Sequence, residues 1–220
     1  MQVFEDRTDA GRRLAAALAN HKELSDADRI VVLGVPRGGL PVGAEVASAL
    51  GAPIDVVVVR KLRSPHNPEL GFGAVGPNGH VEINQELVER LGLTDEEIAD
   101  ELADRRSAVD QRLKMYRDAA QAPSLEGAIV IVVDDGVATG GTARLACSYA
   151  RHSKAERVLF ATPVAPVDTV VALEDSGLAD VVVALSAPAE FLSVGQAYAD
   201  FTQLSDDDAV AALHQAPHRP

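Results

Sequence analysis

Five short apolar runs rich in β-branched residues punctuate the chain: Arg29 to Val35, Asp55 to Val59, Ala128 to Val133, Arg157 to Thr162 and Asp180 to Leu185. Each has the length and composition of a strand buried on both faces. Between them, apolar residues recur every three or four positions. Thr8 to Ala19 carries Leu14, Ala17 and Leu18 on one face, with Thr8 or Asp9 as its cap. Further helices are expected up to about Leu50, from Ala143 to about His152 and from about Pro166 to Glu174. Thr94-Asp-Glu-Glu97 is a capping box opening a long helix over about 94–118, with Ile98, Leu102, Val109, Leu113 and Tyr116 as its apolar stripe. Strands alternating with helices predict an α/β fold: a doubly wound, parallel five-stranded sheet of order 2-1-3-4-5.

Two regions break the alternation. Ser64 to Ile83 holds Pro65, Pro68 and Pro77, so no regular helix is expected. Ala74-Val75 and His80 to Ile83, on either side of Gly76-Pro77-Asn78-Gly79, predict a β-hairpin within about 64–83. Near the end, about 187–212, lie Phe191, Leu192, Val194, Tyr198 and Phe201, followed by an acidic helix start at Ser205 to Asp208. This segment reads either as a cap on the core or as a small hood over a second substrate, with an aromatic ring stacking on a planar base. A single domain is expected over 1–214, with a disordered tail at 215–220.

The chemistry gathers at strand ends. The run ending at Val133 delivers two adjacent carboxylates, Asp134 and Asp135, then Ala138-Thr139-Gly140-Gly141-Thr142 and a helix. Glycines let successive backbone N–H groups surround a phosphate, and a helix N-terminus adds unpaired donors and a positive dipole end. Carboxylates repel an anion, so Asp134 and Asp135 point instead to sugar hydroxyls or to Mg2+ and its waters. A ribose 5-phosphate fits both demands. The first strand runs into Gly34-Val35-Pro36-Arg37-Gly38-Gly39-Leu40-Pro41, a second glycine cradle bearing one arginine. The strand ending at Val59 delivers Arg60-Lys61-Leu62-Arg63, a cationic cluster in an acidic chain.

The string Val130 to Thr142 resembles the phosphoribosyl pyrophosphate signature of the type I phosphoribosyltransferases. Phe4-x-Asp-Arg-x-Asp-Ala-Gly-Arg, Arg60-Lys-Leu, Asn67-Pro-Glu-Leu and Val194-Gly…Tyr198-x-Asp-Phe201 extend the likeness to a bacterial branch of that family over nearly the whole chain. The resemblance implies that Asp134 and Asp135 hold the ribose hydroxyls and, through water, Mg2+. It implies that Ala138, Thr139, Gly140, Gly141 and Thr142 wrap the 5-phosphate. Arg37, Gly38, Gly39, Arg60 and Lys61 would meet the pyrophosphate, with a cis peptide at Pro36–Arg37. The hairpin would be mobile and close over the substrates, carrying Glu69 and His66, and more weakly His80, as candidate acid/base groups. Two positions depart from the common pattern. Gly136 stands where an aliphatic residue is usual, and Ala138 where many relatives carry an aspartate, although adenine-type relatives have alanine there too.

Composition narrows the rest. A net charge of −13 argues against general nucleic-acid binding. The single cysteine, Cys147, excludes an internal disulfide and reads as a core residue. No apolar run reaches membrane-spanning length and the N-terminus does not read as a signal peptide, so a cytoplasmic protein, forming a homodimer, is expected. The expected activity is transfer of a phosphoribosyl group from phosphoribosyl pyrophosphate to an unidentified base or amine. A non-catalytic binding or regulatory protein that keeps the donor site stays open beside it.

Overall fold

A computed structural model describes residues 4–25, 27–68, 70–117 and 122–215. In chain order it begins with α1 (Arg7–Ala19), β1 (Ile30–Gly34), α2 (Gly39–Leu50) and β2 (Ile54–Val56). Next come β3 (Arg60–Arg63), β4 (Gly71–Val75), β5 (Val81–Ile83), α3 (Gln85–Leu91) and α4 (Asp95–Tyr116). The remainder is β6 (Ile129–Val133), α5 (Gly141–His152), β7 (Arg157–Val164), α6 (Val167–Asp175), β8 (Val181–Ser186) and α7 (Asp206–Gln215).

The five apolar runs form one all-parallel sheet in the order β2-β1-β6-β7-β8, which is the expected 2-1-3-4-5. Every residue of β6 is buried, because β1 and β7 flank it and helices cover both faces. Side-chain alternation divides the core cleanly. Val32, Ile131 and Leu159 face α1 and α2 through Leu14, Leu18, Val42 and Val46. Val31, Val130, Val132 and Phe160 face the other way, with Ala146, Cys147 and Ala150 of α5 and Leu173 of α6. Cys147 is a core residue, as expected, and burial pushes its thiol up to about 12. Between β1 and β6 the chain order reverses, the point where open parallel sheets bind ligands beyond their carboxyl ends.

The structure corrects several local expectations. Only Ile54–Val56 of the second run pairs in the main sheet, and the cationic run is itself a strand, not a strand's tail. β3 joins β4 and β5 in a three-stranded antiparallel sheet. The single inward residue of β3, Leu62, is fully buried, and one apolar side chain among cations is too little signal for period-two reading. Asp6, not Thr8 or Asp9, caps α1, its carboxylate accepting the Asp9 N–H at 2.7 Å. The short α3, capped by Asn84, adds a helix that the sequence pattern does not single out. The capping box of α4 is present: Thr94 Oγ1 accepts the Glu97 N–H at 3.2 Å and Glu97 Oε2 accepts the Thr94 N–H at 2.8 Å. Val109, Leu113 and Tyr116 seat α4 on Leu62 and Phe72 of the small sheet and on α7. Residues 216–220 of the expected tail lie outside the described residues.

Candidate functional site

β1 and β6 are neighbours, so their C-terminal loops meet. Val35 donates its N–H to the Val133 carbonyl at 2.8 Å, tying the first glycine loop to the end of β6. The Pro36–Arg37 peptide is cis, at the bond named from the sequence. Gly38 and Gly39 then pass so close to the acidic pair that no side chain fits. A Cβ on Gly38 would lie 1.8 Å from Asp135 Oδ2, and one on Gly39 2.5 Å from the Val133 carbonyl oxygen. These glycines serve close backbone approach, not conformational freedom, since neither has a positive φ.

The second loop is shaped for its place at a helix start. Gly140 is the N-cap of α5 and adopts φ 73°, a conformation suited to glycine. The Thr169 hydroxyl of α6 donates to the Ala138 carbonyl at 2.8 Å and fixes the loop from behind. Ala138, Thr139 and Thr142 are exposed. Lys61 reaches this loop from β3: a Cβ on Gly141 would stand 3.2 Å from Lys61 Nζ. An ammonium and the N-terminal end of a twelve-residue helix thus converge on one spot, which favours an anion on both counts. Arg37 is half-buried on the first loop, while Arg60 and Arg63 are exposed on β3.

The acidic pair has an uneven environment. Burial of its carboxyl pushes Asp134 well above the usual carboxylate range, and the adjacent Asp135 pushes the same way. Asp135 instead has a cation: Arg7 Nε donates to its Oδ2 at 2.7 Å. Arg7 stands in the Phe4-x-Asp-Arg string, but nothing in its sequence neighbourhood marks this role. The Tyr198 hydroxyl donates to the Asp135 carbonyl at 2.5 Å, and burial holds that phenol far above its ordinary value.

The C-terminal segment caps the core. Tyr198 is buried against Phe4, and its ring stacks on Phe201 at 5.0 Å between centroids. Arg7 covers the Phe201 ring at 4.0 Å. Tyr198 and Phe201 thus pack on one another, and Phe201 on Arg7, as the cap reading expects. Val194, from the same segment, explains the unusual Gly136: a Cβ there would stand 2.2 Å from Val194 Cγ1. The aliphatic group that the string lacks at Gly136 arrives from a distant residue.

The candidate acid/base groups are not gathered around the carboxylates. His66 Nε2 lies 3.0 Å from Glu97 Oε1 at the start of α4. Glu69 lies outside the described residues. His80 is buried beside Tyr149 and His152 of α5, and burial lowers its pKa, so its imidazole is neutral near pH 7. The hairpin turn is therefore anchored on α5 through His80 and through Asn78, whose Nδ2 donates to the Tyr149 hydroxyl at 3.2 Å. No group of three or more His, Cys, Asp or Glu side chains placed to hold a metal exists among the described residues. No helix among them is long and apolar enough to cross a membrane.

Comparison with known proteins agrees with this geometry. A curated relative from Mycobacterium tuberculosis (strain CDC 1551 / Oshkosh), named "Putative phosphoribosyl transferase", is 46% identical over 221 residues, covering 100% of this chain and 48% of its own length. A relative of the same name from strain ATCC 25618 / H37Rv matches equally. The chain thus spans about half the length of the curated relatives it matches. The crystal structure of TT1426 from Thermus thermophilus superposes with a TM-score of 0.85 at 38% identity, covering 99% of this chain and 100% of that one. Residues 4–176 match the phosphoribosyl transferase domain, and the protein belongs to that family.

Proposed function

We propose that the protein transfers a 5-phosphoribosyl group from phosphoribosyl pyrophosphate to a nitrogenous base or amine, releasing pyrophosphate. The observation that carries this reading is the meeting of the two strand-end loops. Gly38 and Gly39 press on Asp134 and Asp135, while Lys61 stands over Gly141 at the start of α5. An anion cradle, a pair of carboxylates and a second anion loop in one cleft match a ligand with a phosphate at each end and a diol between them. In this reading Ala138, Thr139, Gly140, Gly141 and Thr142 surround the 5-phosphate. Asp134 and Asp135 hold the ribose hydroxyls. Arg37, Gly38, Gly39, Arg60 and Lys61 meet the pyrophosphate.

The chemistry asked of the chain is charge stabilisation and alignment. The departing pyrophosphate gathers negative charge at Lys61 and the arginines, while the carboxylates orient a ribose that becomes cation-like. Mg2+ would neutralise the diphosphate and fits here only in one way. Two adjacent carboxylates, one already paired with Arg7, do not make a cage, but they suit a hydrated ion that the donor's own oxygens help to hold. His66 sits on Glu97, and a part for it as acid or base requires that it leave that partner.

A second reading, a regulatory protein that binds phosphoribosyl pyrophosphate or a nucleotide without turning it over, draws support from Ala138, which supplies no titratable group, and from the pairing of His66 with Glu97. A coupled assay for pyrophosphate release separates the two, with phosphoribosyl pyrophosphate, magnesium and a panel of purines, pyrimidines and amines. Release dependent on one acceptor, and abolished by Lys61→Met, is the expected result. Donor binding without release across the whole panel would favour the regulator.

A further inference from the structure

Arg7, in the first turn of α1, commits its guanidinium to three groups at once. Nε donates to Asp135 Oδ2 at 2.7 Å, Nη1 donates to the Thr202 carbonyl at 3.0 Å, and Cζ lies over the Phe201 ring, 4.0 Å from its centroid. Its side chain is 12% exposed and that of Asp135 14%, so the pair is largely screened from water. Gly38, lacking a side chain, leaves the same Oδ2 in the space that a Cβ would fill. Tyr198 holds the backbone of the same residue through its carbonyl. Asp135 is therefore gripped at side chain and backbone, and both grips come from the segments that cap the core.

We propose that Arg7 is a positioning residue for the sugar end of the donor, fixing Asp135 in the one orientation that presents its second oxygen, Oδ1, to a ribose hydroxyl. This rests on the reading of Asp135 as a sugar ligand. A carboxylate that can rotate reads a diol poorly, because the ordering cost falls on each binding event. An arginine suits the task and a lysine does not. The planar fork reaches carboxylate and carbonyl together while its face stacks on Phe201, whereas an ammonium is a single point of charge. The phosphate loop at Ala138 to Thr142 has no part in this clamp, so the effect is confined to the sugar.

Calorimetry with two probes, ribose 5-phosphate and inorganic phosphate, tests it on the wild type, Arg7→Met, Asp135→Asn and the double variant. Arg7→Met should weaken ribose 5-phosphate by about tenfold or more while phosphate changes by less than about twofold. In the Asp135→Asn background the same substitution should add less than about twofold, since its target is already gone. Tyr198→Phe keeps the ring and removes only the hydroxyl. It should weaken the sugar probe about three- to fivefold, and it carries the test if Arg7→Met proves too unstable to assay. Unchanged sugar affinity in the folded variants overturns the inference. So does equal loss of both probes, or an undiminished Arg7→Met effect without Asp135. A wild type that binds neither probe overturns the donor-site reading itself, and the inference with it.

Discussion

Gly38 and Gly39 look alike in the sequence and differ in what they touch. The Cβ of an alanine at 38 would meet the carboxylate of Asp135, which can turn aside only by giving up Arg7, whereas at 39 it would meet the Val133 carbonyl and, at 2.9 Å, the Cα of Asp134. Backbone of a central strand cannot yield in that way. Gly39→Ala should therefore lose about 1–3 kcal/mol of stability in urea unfolding, a typical overpacking cost. Gly38→Ala should lose less stability than Gly39→Ala and more of its donor affinity, because the carboxylate it displaces is a ligand group. The opposite ranking in unfolding experiments would mean that the acidic pair is not held where the structure puts it. The glycines themselves were legible in the sequence as a cradle. Their role as a contact surface for Asp135 was not, because it depends on two strands becoming neighbours across about a hundred residues of chain. Arg7 was hidden for the same reason: its partner Asp135 is 128 positions away.

At the scale of elements, strands in the main sheet were readable because each lies on a run of mostly apolar, β-branched residues. The small sheet was half readable. Its hairpin showed through Gly76 to Gly79, but β3 did not, since only Leu62 marks its inner face. The turn of that hairpin is fastened by His80, whose Nδ1 has no hydrogen-bond partner among the described residues. Burial lowers its pKa from the ordinary 6.5, opposed by Glu82 and assisted by His152. The unfolded chain then binds the proton more readily than the folded one. Stability should be full above about pH 6.5 and decline as pH falls through that value toward the lower folded pKa. His80→Gln should flatten that part of the stability–pH curve, and an unchanged slope would count against a buried neutral imidazole.

The C-terminal segment offers a second test at this scale. Gly136→Val should clash with Val194 and cost about 1–3 kcal/mol, while Gly136→Val combined with Val194→Ala should recover much of it, because the two residues share one space. Simple addition of the two losses in thermal unfolding would contradict that packing.

Over the whole molecule, two sheets and their helices bring three strand ends together: β1 with its glycine loop and β6 with its carboxylates side by side, and β3 with Lys61 over the start of α5. The order of the main sheet makes the first two neighbours, and the antiparallel sheet brings the third across to the start of α5. Family membership and fold were readable from the chain in its longest motif. The acceptor was not, because no string of residues in the chain names one. The measurement that bears most directly on the account is calorimetry of phosphoribosyl pyrophosphate with magnesium, on the wild type and on Asp134→Asn/Asp135→Asn. The account predicts micromolar binding by the wild type, on the order of a hundredfold weaker in the double variant, as loss of charged hydrogen bonds to the sugar would give. A well-folded wild type that does not bind the donor, or a double variant that binds it as tightly, would contradict it.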